Sequence, residues 1–185
     1  MLRLGERLLK ANSTRFVFDA TPLIHLTRAG LLKETLDLFE VYAPDTVIHE
    51  VTGDKSYPDA VILEEYVEKG LIRRCKPGDE RLVSALLRHE GLHRGEAETL
   101  ACAEELGAIA IIDDGVARSI AKIYGIPAQS GTLYVLFKLV AADRLDAAGA
   151  EEKLREMVKS GLYLDSKTTL AALGMLRDLG KEREN

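Results

Sequence analysis

Cysteine is scarce in this sequence, long apolar runs are missing altogether, and no excess of basic charge offsets its acids. The two cysteines, Cys75 and Cys102, form no CxxC pair. That argues against a thiolate metal cluster, a redox motif and a disulfide scaffold. They read as two small buried thiols in a reducing compartment. No stretch has the apolar length that a membrane span needs. The opening MLRLGERLLKANST is broken by Gly5, Glu6 and Arg7, so it lacks the apolar run of a signal peptide. Residues 1–14 read as a short leader or peripheral helix, and the expected location is cytoplasmic with no membrane partner. Neither GxGxxG nor GxxxxGK[ST] occurs, which disfavours the nucleotide-binding enzymes built on those loops.

What is present is an ordinary globular mixture. Apolar residues make up 46% and charged residues 30% of 185 residues. A chain of this size buries roughly 70% of the surface it exposes unfolded, enough for one full core without disulfides. The net charge of −5 weighs against a nucleic-acid partner, because phosphate binding usually shows a basic stripe. Acids gathered at a site, however, lower the net charge while attracting a divalent cation, which reverses the local sign.

Short apolar runs alternate with helical patterns. Phe16-Val17-Phe18, Val41-Tyr42-Ala43, Leu71 to Cys75 and Ala108 to Ile112 read as strands, with Ile126-Pro127-Ala128 as a short edge strand. Helices are expected as a broken pair over 22–39, then over 44–51, 59–69, 79–90, 95–106, 116–124, 132–142, 147–159 and 167–179. Gly107 and Gly125 stand where helix C-caps favour glycine. Such alternation implies a parallel sheet covered on both faces. The expected fold class is α/β, a three-layer α/β/α domain with a central parallel sheet of four to five strands and a C-terminal helical extension. The domain proper is expected over 15–142 and the extension over 143–185.

Ligands of open parallel sheets bind beyond the carboxyl ends of the strands. Asp19 follows the first strand directly, and Asp113-Asp114 follow the fourth. Glu50 lies on the helix after the second strand. Glu96 and Glu98 open the helix that leads into the fourth strand, and an arriving helix starts on that same edge. Four chain-distant segments therefore deliver acids to one rim. Magnesium and manganese take a few carboxylates and several waters in octahedral geometry. There they acidify water and neutralise charge developing on a phosphodiester. Without a cation the acids repel one another. Of the six, Glu98 reads equally well as a solvated helix face.

Phe16-Val17-Phe18-Asp19-Ala20-Thr21-Pro22-Leu23-Ile24 resembles the first motif of PIN domains, a strand, an Asp, and a hydroxyl residue two positions on. Val47-Ile48-His49-Glu50-Val51 resembles the second. Gly95-Glu96-Ala97-Glu98-Thr99-Leu100-Ala101 resembles the third, and Ile111-Ile112-Asp113-Asp114 with Arg118 the fourth. Order and spacing match from about 15 to 142, and the following helices resemble an uncharacterised PIN subgroup with a similar GEAE segment. The resemblance implies Asp19, Glu50, Glu96 and Asp114 as the catalytic and metal-site acids, with Asp113 assisting or replacing Asp114. It implies Thr21 as a hydrogen-bond donor to a metal water or an active-site carboxylate. The implied activity is a ribonuclease dependent on Mg2+ or Mn2+ that leaves 5′-phosphate and 3′-hydroxyl ends. The implied partners are RNA, an antitoxin protein if the chain is a toxin of a toxin–antitoxin pair, and a second copy in a homodimer or higher homo-oligomer.

Two departures keep an alternative open. Many PIN relatives have Asp where Glu96 stands and a hydroxyl residue where Ile112 stands, so a catalytically weak or inactive module binding RNA or protein is the second reading. Arg118 and Lys122, spaced i,i+4, are candidate phosphate contacts or a solvated helix face. Arg73, Arg74, Arg88 and Arg94 are further candidates for an RNA path.

Other motifs carry less. His89-Glu90-Gly91-Leu92-His93 matches HExxH, but zinc chemistry needs both histidines on one continuous helix, and Gly91 and Gly95 weaken it. A solvated interhelical loop is the better reading. Asp19-Ala20-Thr21 lacks the second Asp of strand-end phosphatases, and Asp113-Asp114 falls too late in the chain for a receiver domain. His25, between Ile24 and Leu26, reads as a packing residue.

Overall fold

The computed structural model describes residues 14–184, so the expected leader, Thr14 apart, lies outside the described residues. Five strands, β1 (Arg15–Phe18), β2 (Glu40–Pro44), β3 (Ile72–Cys75), β4 (Ile109–Ile112) and β5 (Ala128–Ser130), form one sheet in the order β3-β2-β1-β4-β5. Every pairing is parallel. Ten helices accompany them among the described residues: α1 (Ala20–Arg28), α2 (Leu32–Leu38), α3 (Asp45–Thr52), α4 (Pro58–Glu68), α5 (Glu80–Leu86), α6 (Arg94–Leu106), α7 (Gly115–Tyr124), α8 (Gly131–Ala141), α9 (Ala147–Lys159) and α10 (Ser166–Glu184). None is long and apolar enough to cross a membrane.

Both faces of the sheet are apolar because both are covered, as parallel sheets require. Phe16, Phe18 and Ile111 pack into one core with residues of α1 to α4 and α8 to α10. Val17, Ala110 and Ile112 point the other way, into a core shared with α5, α6 and α7. The result is a three-layer α/β/α domain. On the first face Phe16 meets Phe39 at 4.5 Å and Tyr134 at 5.9 Å between ring centroids. Such aromatic pairs add about 0.5–1.5 kcal/mol each beyond the area they bury. Ala150, Leu154, Met157, Leu162, Ala172 and Leu176 carry α9 and α10 into that same core.

The chain winds outward from β1 through β2 to β3, then crosses back to β4 on the other side of β1. This reversal moves the connecting helices from one face to the other. It leaves a switch point between the carboxyl ends of β1 and β4, the crevice that open α/β sheets use for ligands.

Three elements differ from the sequence reading. The helix expected over 79–90 stops at Leu86, and tight turns take over, with Arg88 and His89 bonding back to Ala85 and Leu86. The edge strand is Ala128–Ser130, not 126–128. The Ile126 amide instead closes α7 by donating to Ala121 at 2.9 Å, after Gly125 at φ 72°. Pro127 lies before the strand and accepts from Ala110 at 2.8 Å. The last helix runs on to Glu184. Cys75 and Cys102 are free, packed in the second core.

Candidate active site

Asp19 is placed by backbone before its side chain matters. Phe18 pairs with Ile111, and the Asp19 amide extends the ladder by donating to the Ile111 carbonyl at 3.1 Å. The carboxylate thus sits at the switch point, at the N-terminus of α1, and is only 8% exposed. Burial pushes its pKa up to about 7; the Ala20 amide pulls it back in part, and Glu96, Glu50 and Asp113 push it up further. Acids from three other segments are therefore close enough to be felt.

Glu50 is exposed on α3, facing Gly95 at the start of α6. The point where a Gly95 Cβ would stand lies 3.7 Å from Asp19 Oδ1 and 3.9 Å from Glu50 Oε2. Both acids therefore border one patch of α6 backbone. Glu96 follows, half-buried, and its carboxylate accepts from the His93 amide at 2.8 Å in a capping box. Burial raises its pKa most, the His93 amide lowers it, and Asp114 raises it again. Glu98 is no solvated surface residue. It is buried, with hydrogen bonds from the Thr46 hydroxyl and from Arg94 Nε at 2.7 Å, and it fastens α6 to α3.

Asp113 and Asp114 divide at the end of β4. Asp113 turns inward, where Thr132 donates its amide at 2.9 Å and its hydroxyl at 2.6 Å. A Cβ on Gly131 would stand 2.5 Å from Asp113 Oδ1 and 2.9 Å from Pro22 Cγ. Asp114 is exposed and caps α7, accepting from the Ala117 amide at 2.8 Å. Thr21 is exposed on α1 and bonds none of these acids among the described residues; the hydroxyl that holds an acid is that of Thr132. Sequence reasoning missed Thr132 and Gly131. Their only signal was a Gly-Thr pair directly after the edge strand.

Arg118 Nη1 donates to the carbonyls of Ile112 at 2.9 Å and Asp113 at 2.7 Å, so its charge stands at the end of β4. With Lys122, Gln129 and Ser130 it lines a cleft of about 600 Å³ beside β5. Arg73, Arg74 and Arg94 are engaged by Glu40 and Tyr42, by Asp45 and by Glu98. The HExxH histidines part company: His89 meets the Tyr124 hydroxyl at 3.1 Å, and His93 is the N-cap of α6. His25 is buried on α1, with Nδ1 unpaired, and burial lowers its pKa.

Among the described residues, no three acids, histidines or cysteines stand close enough to cage one ion. The donor set nonetheless fits a hard cation of the kind that keeps most of its water and takes one or two carboxylates directly. The oxygens are hard, and the buried Asp19 carboxylate is short of positive charge.

A family model described as a PIN domain matches residues 15–177. The chain belongs to the PIN-domain family. No curated protein and no solved structure gives a match. Membership accounts for the nuclease-type fold. Within this PIN domain, Asp19, Glu50, Glu96 and the Asp113–Asp114 pair are brought to one rim, with Arg118 and Lys122 on the β5 side of it.

Proposed function

We propose that this PIN domain is a divalent-metal-dependent endoribonuclease. The observation that supports it is Asp19, a carboxylate whose ionisation is opposed first by burial and then by acids from three other segments. Clustered acids in a crevice hold one another back from ionising unless a cation joins them. Mg2+ or Mn2+ would be held through Asp19, with Glu50, Glu96 and Asp113 or Asp114 as further ligands, directly or through water. When bound, the ion acidifies water and neutralises charge developing on the phosphodiester.

The chain's own residues do the rest. Thr132 fixes Asp113, and the Ala117 amide fixes Asp114. Arg118 and Lys122 offer positive charge to the RNA backbone next to the acids. A toxin role with an antitoxin partner, a homodimer and a cytoplasmic location belong to the same proposal. A non-catalytic module is favoured by one observation: Glu96 and Asp114 both use an oxygen to cap a helix.

Calorimetry with manganese separates the two. A nuclease is expected to give a binding isotherm that weakens as pH falls below about 7, where Asp19 takes up a proton, and that vanishes in Asp19→Asn. No binding at millimolar manganese would refute the metal site and leave the non-catalytic module.

A further inference from the structure

We infer that the cleft between α1, α3 and α4 takes a guanine base of the RNA flanking the bond that is cut. The inference rests on the nuclease reading for its RNA, though not for the chemistry of the cleft. The cleft has a volume of about 240 Å³ and shares Glu50 with the acidic rim. It is smaller than the roughly 300–1,000 Å³ of pockets for drug-sized ligands, a size for a single base. Ile24 and Val51 give it apolar walls, and Tyr57, 53% exposed, offers a ring for stacking.

Its polar groups choose among bases. Asp54, Asp59 and Glu50 supply carboxylates, and Arg28 is already paired with the buried Asp59 at 3.2 Å. A phosphate would be repelled here, whereas the opposite flank, with Arg118 and Lys122, suits phosphates. Asp54 is exposed; the Ser56 side chain and the Ser56 amide, at 3.0 Å from Oδ1, steady it, and two carboxylate oxygens with about four lone-pair sites keep acceptor capacity beyond these two bonds. Guanine presents two adjacent donors, N1–H and the N2 amino group, that match the two oxygens of one carboxylate. Adenine and cytosine present an amino group without the adjacent N–H, and uracil a single N–H. Stacking on Tyr57 would hold any base, and Asp54 would select guanine.

The test uses the 15N-labelled full chain in EDTA, titrated with guanosine, inosine, adenosine, cytidine and uridine. Nucleosides carry no phosphate and need no metal, so the result is independent of turnover. Guanosine is expected to shift the Asp54 and Tyr57 amide resonances at millimolar concentration, with inosine, which lacks the N2 amino group, clearly weaker. Tyr57→Ala is expected to weaken guanosine roughly 10-fold, and Asp54→Asn to erase its advantage over inosine. Both side chains are exposed, so the fold should survive either change. Equal binding of all five nucleosides, or no shifts in this cleft, would overturn the inference.

Mapping of RNA cleavage ends with magnesium separates the two proposals. Cutting without regard to neighbouring guanine would sink the subsite and leave the nuclease standing. Guanosine binding without any RNA cleavage would do the reverse.

Discussion

Asp19→Asn is expected to abolish metal-dependent RNA cleavage while making the metal-free protein more stable at pH 8. The two effects have one cause. A carboxylate pushed up from 3.8 to about 7 is one whose charged form the folded protein disfavours. Below pH 3.8 it is protonated in both the folded and unfolded chain and costs nothing. As pH rises toward 7 the unfolded chain ionises it and the folded chain does not, so stability falls. Above 7 the loss is complete, at most about 4 kcal/mol at 1.36 kcal/mol per unit.

Asn carries no charge and removes that loss. Its amide is polar and buried, so the gain is expected to be about half the ceiling, roughly 2 kcal/mol. In a chain of this length that raises Tm by about 4–8 °C. Cleavage is expected to fall by at least about 10²-fold, the scale for losing a charge-stabilising group. Thermal melts from pH 4 to 8 in EDTA give the first quantity and RNA cleavage with magnesium the second. Equal activity of the variant, or a wild-type melt flat over that pH range, would contradict the role given to Asp19.

Gly131→Ala is expected to damage both fold and site. At an ordinary helical position this change is stabilising by up to about 1 kcal/mol. Here the added methyl group would stand 2.5 Å from Asp113 Oδ1, 2.8 Å from its Cγ and 2.9 Å from Pro22 Cγ. The carboxylate is tethered twice by Thr132, and the buried proline ring stands in the first turn of α1, so neither yields cheaply. Overpacking of this kind costs about 1–3 kcal/mol, and the clash outweighs helix propensity. Asp113 would be displaced, with cleavage reduced accordingly. Gly95→Ala is the control, since its nearest neighbours lie at 3.5–3.9 Å, ordinary contact distances. Denaturant melts of the two variants distinguish them; a Gly131→Ala protein as stable as wild type would show that Asp113 is not held as described.

Much of this architecture is legible in the sequence because fully buried parallel strands must be apolar on both faces. Phe16 to Phe18 and Ile109 to Ile112 have no alternative role, and the acids that end them fall at the same edge by geometry alone. What stays hidden depends on tertiary approach. Asp113 and Thr132 are 19 residues apart and meet only because β4 and β5 are neighbours. Glu98 looks like helix surface until α3 supplies Thr46 and burial follows. The short α5 is equally invisible: nothing local forbids helix over 87–90, yet the chain must turn there before α6 can start at the rim. The Asp113–Asp114 pair shows the same limit. Two identical side chains in sequence take opposite directions once a strand ends and a helix begins.

Manganese diffused into crystals and located by its anomalous signal tests the shared-cation claim most directly. The expected result is a peak at the switch point, in contact with Asp19 and with Asp113 or Asp114, directly or through water. No peak at millimolar manganese, or one seated away from the ends of β1 and β4, would contradict it.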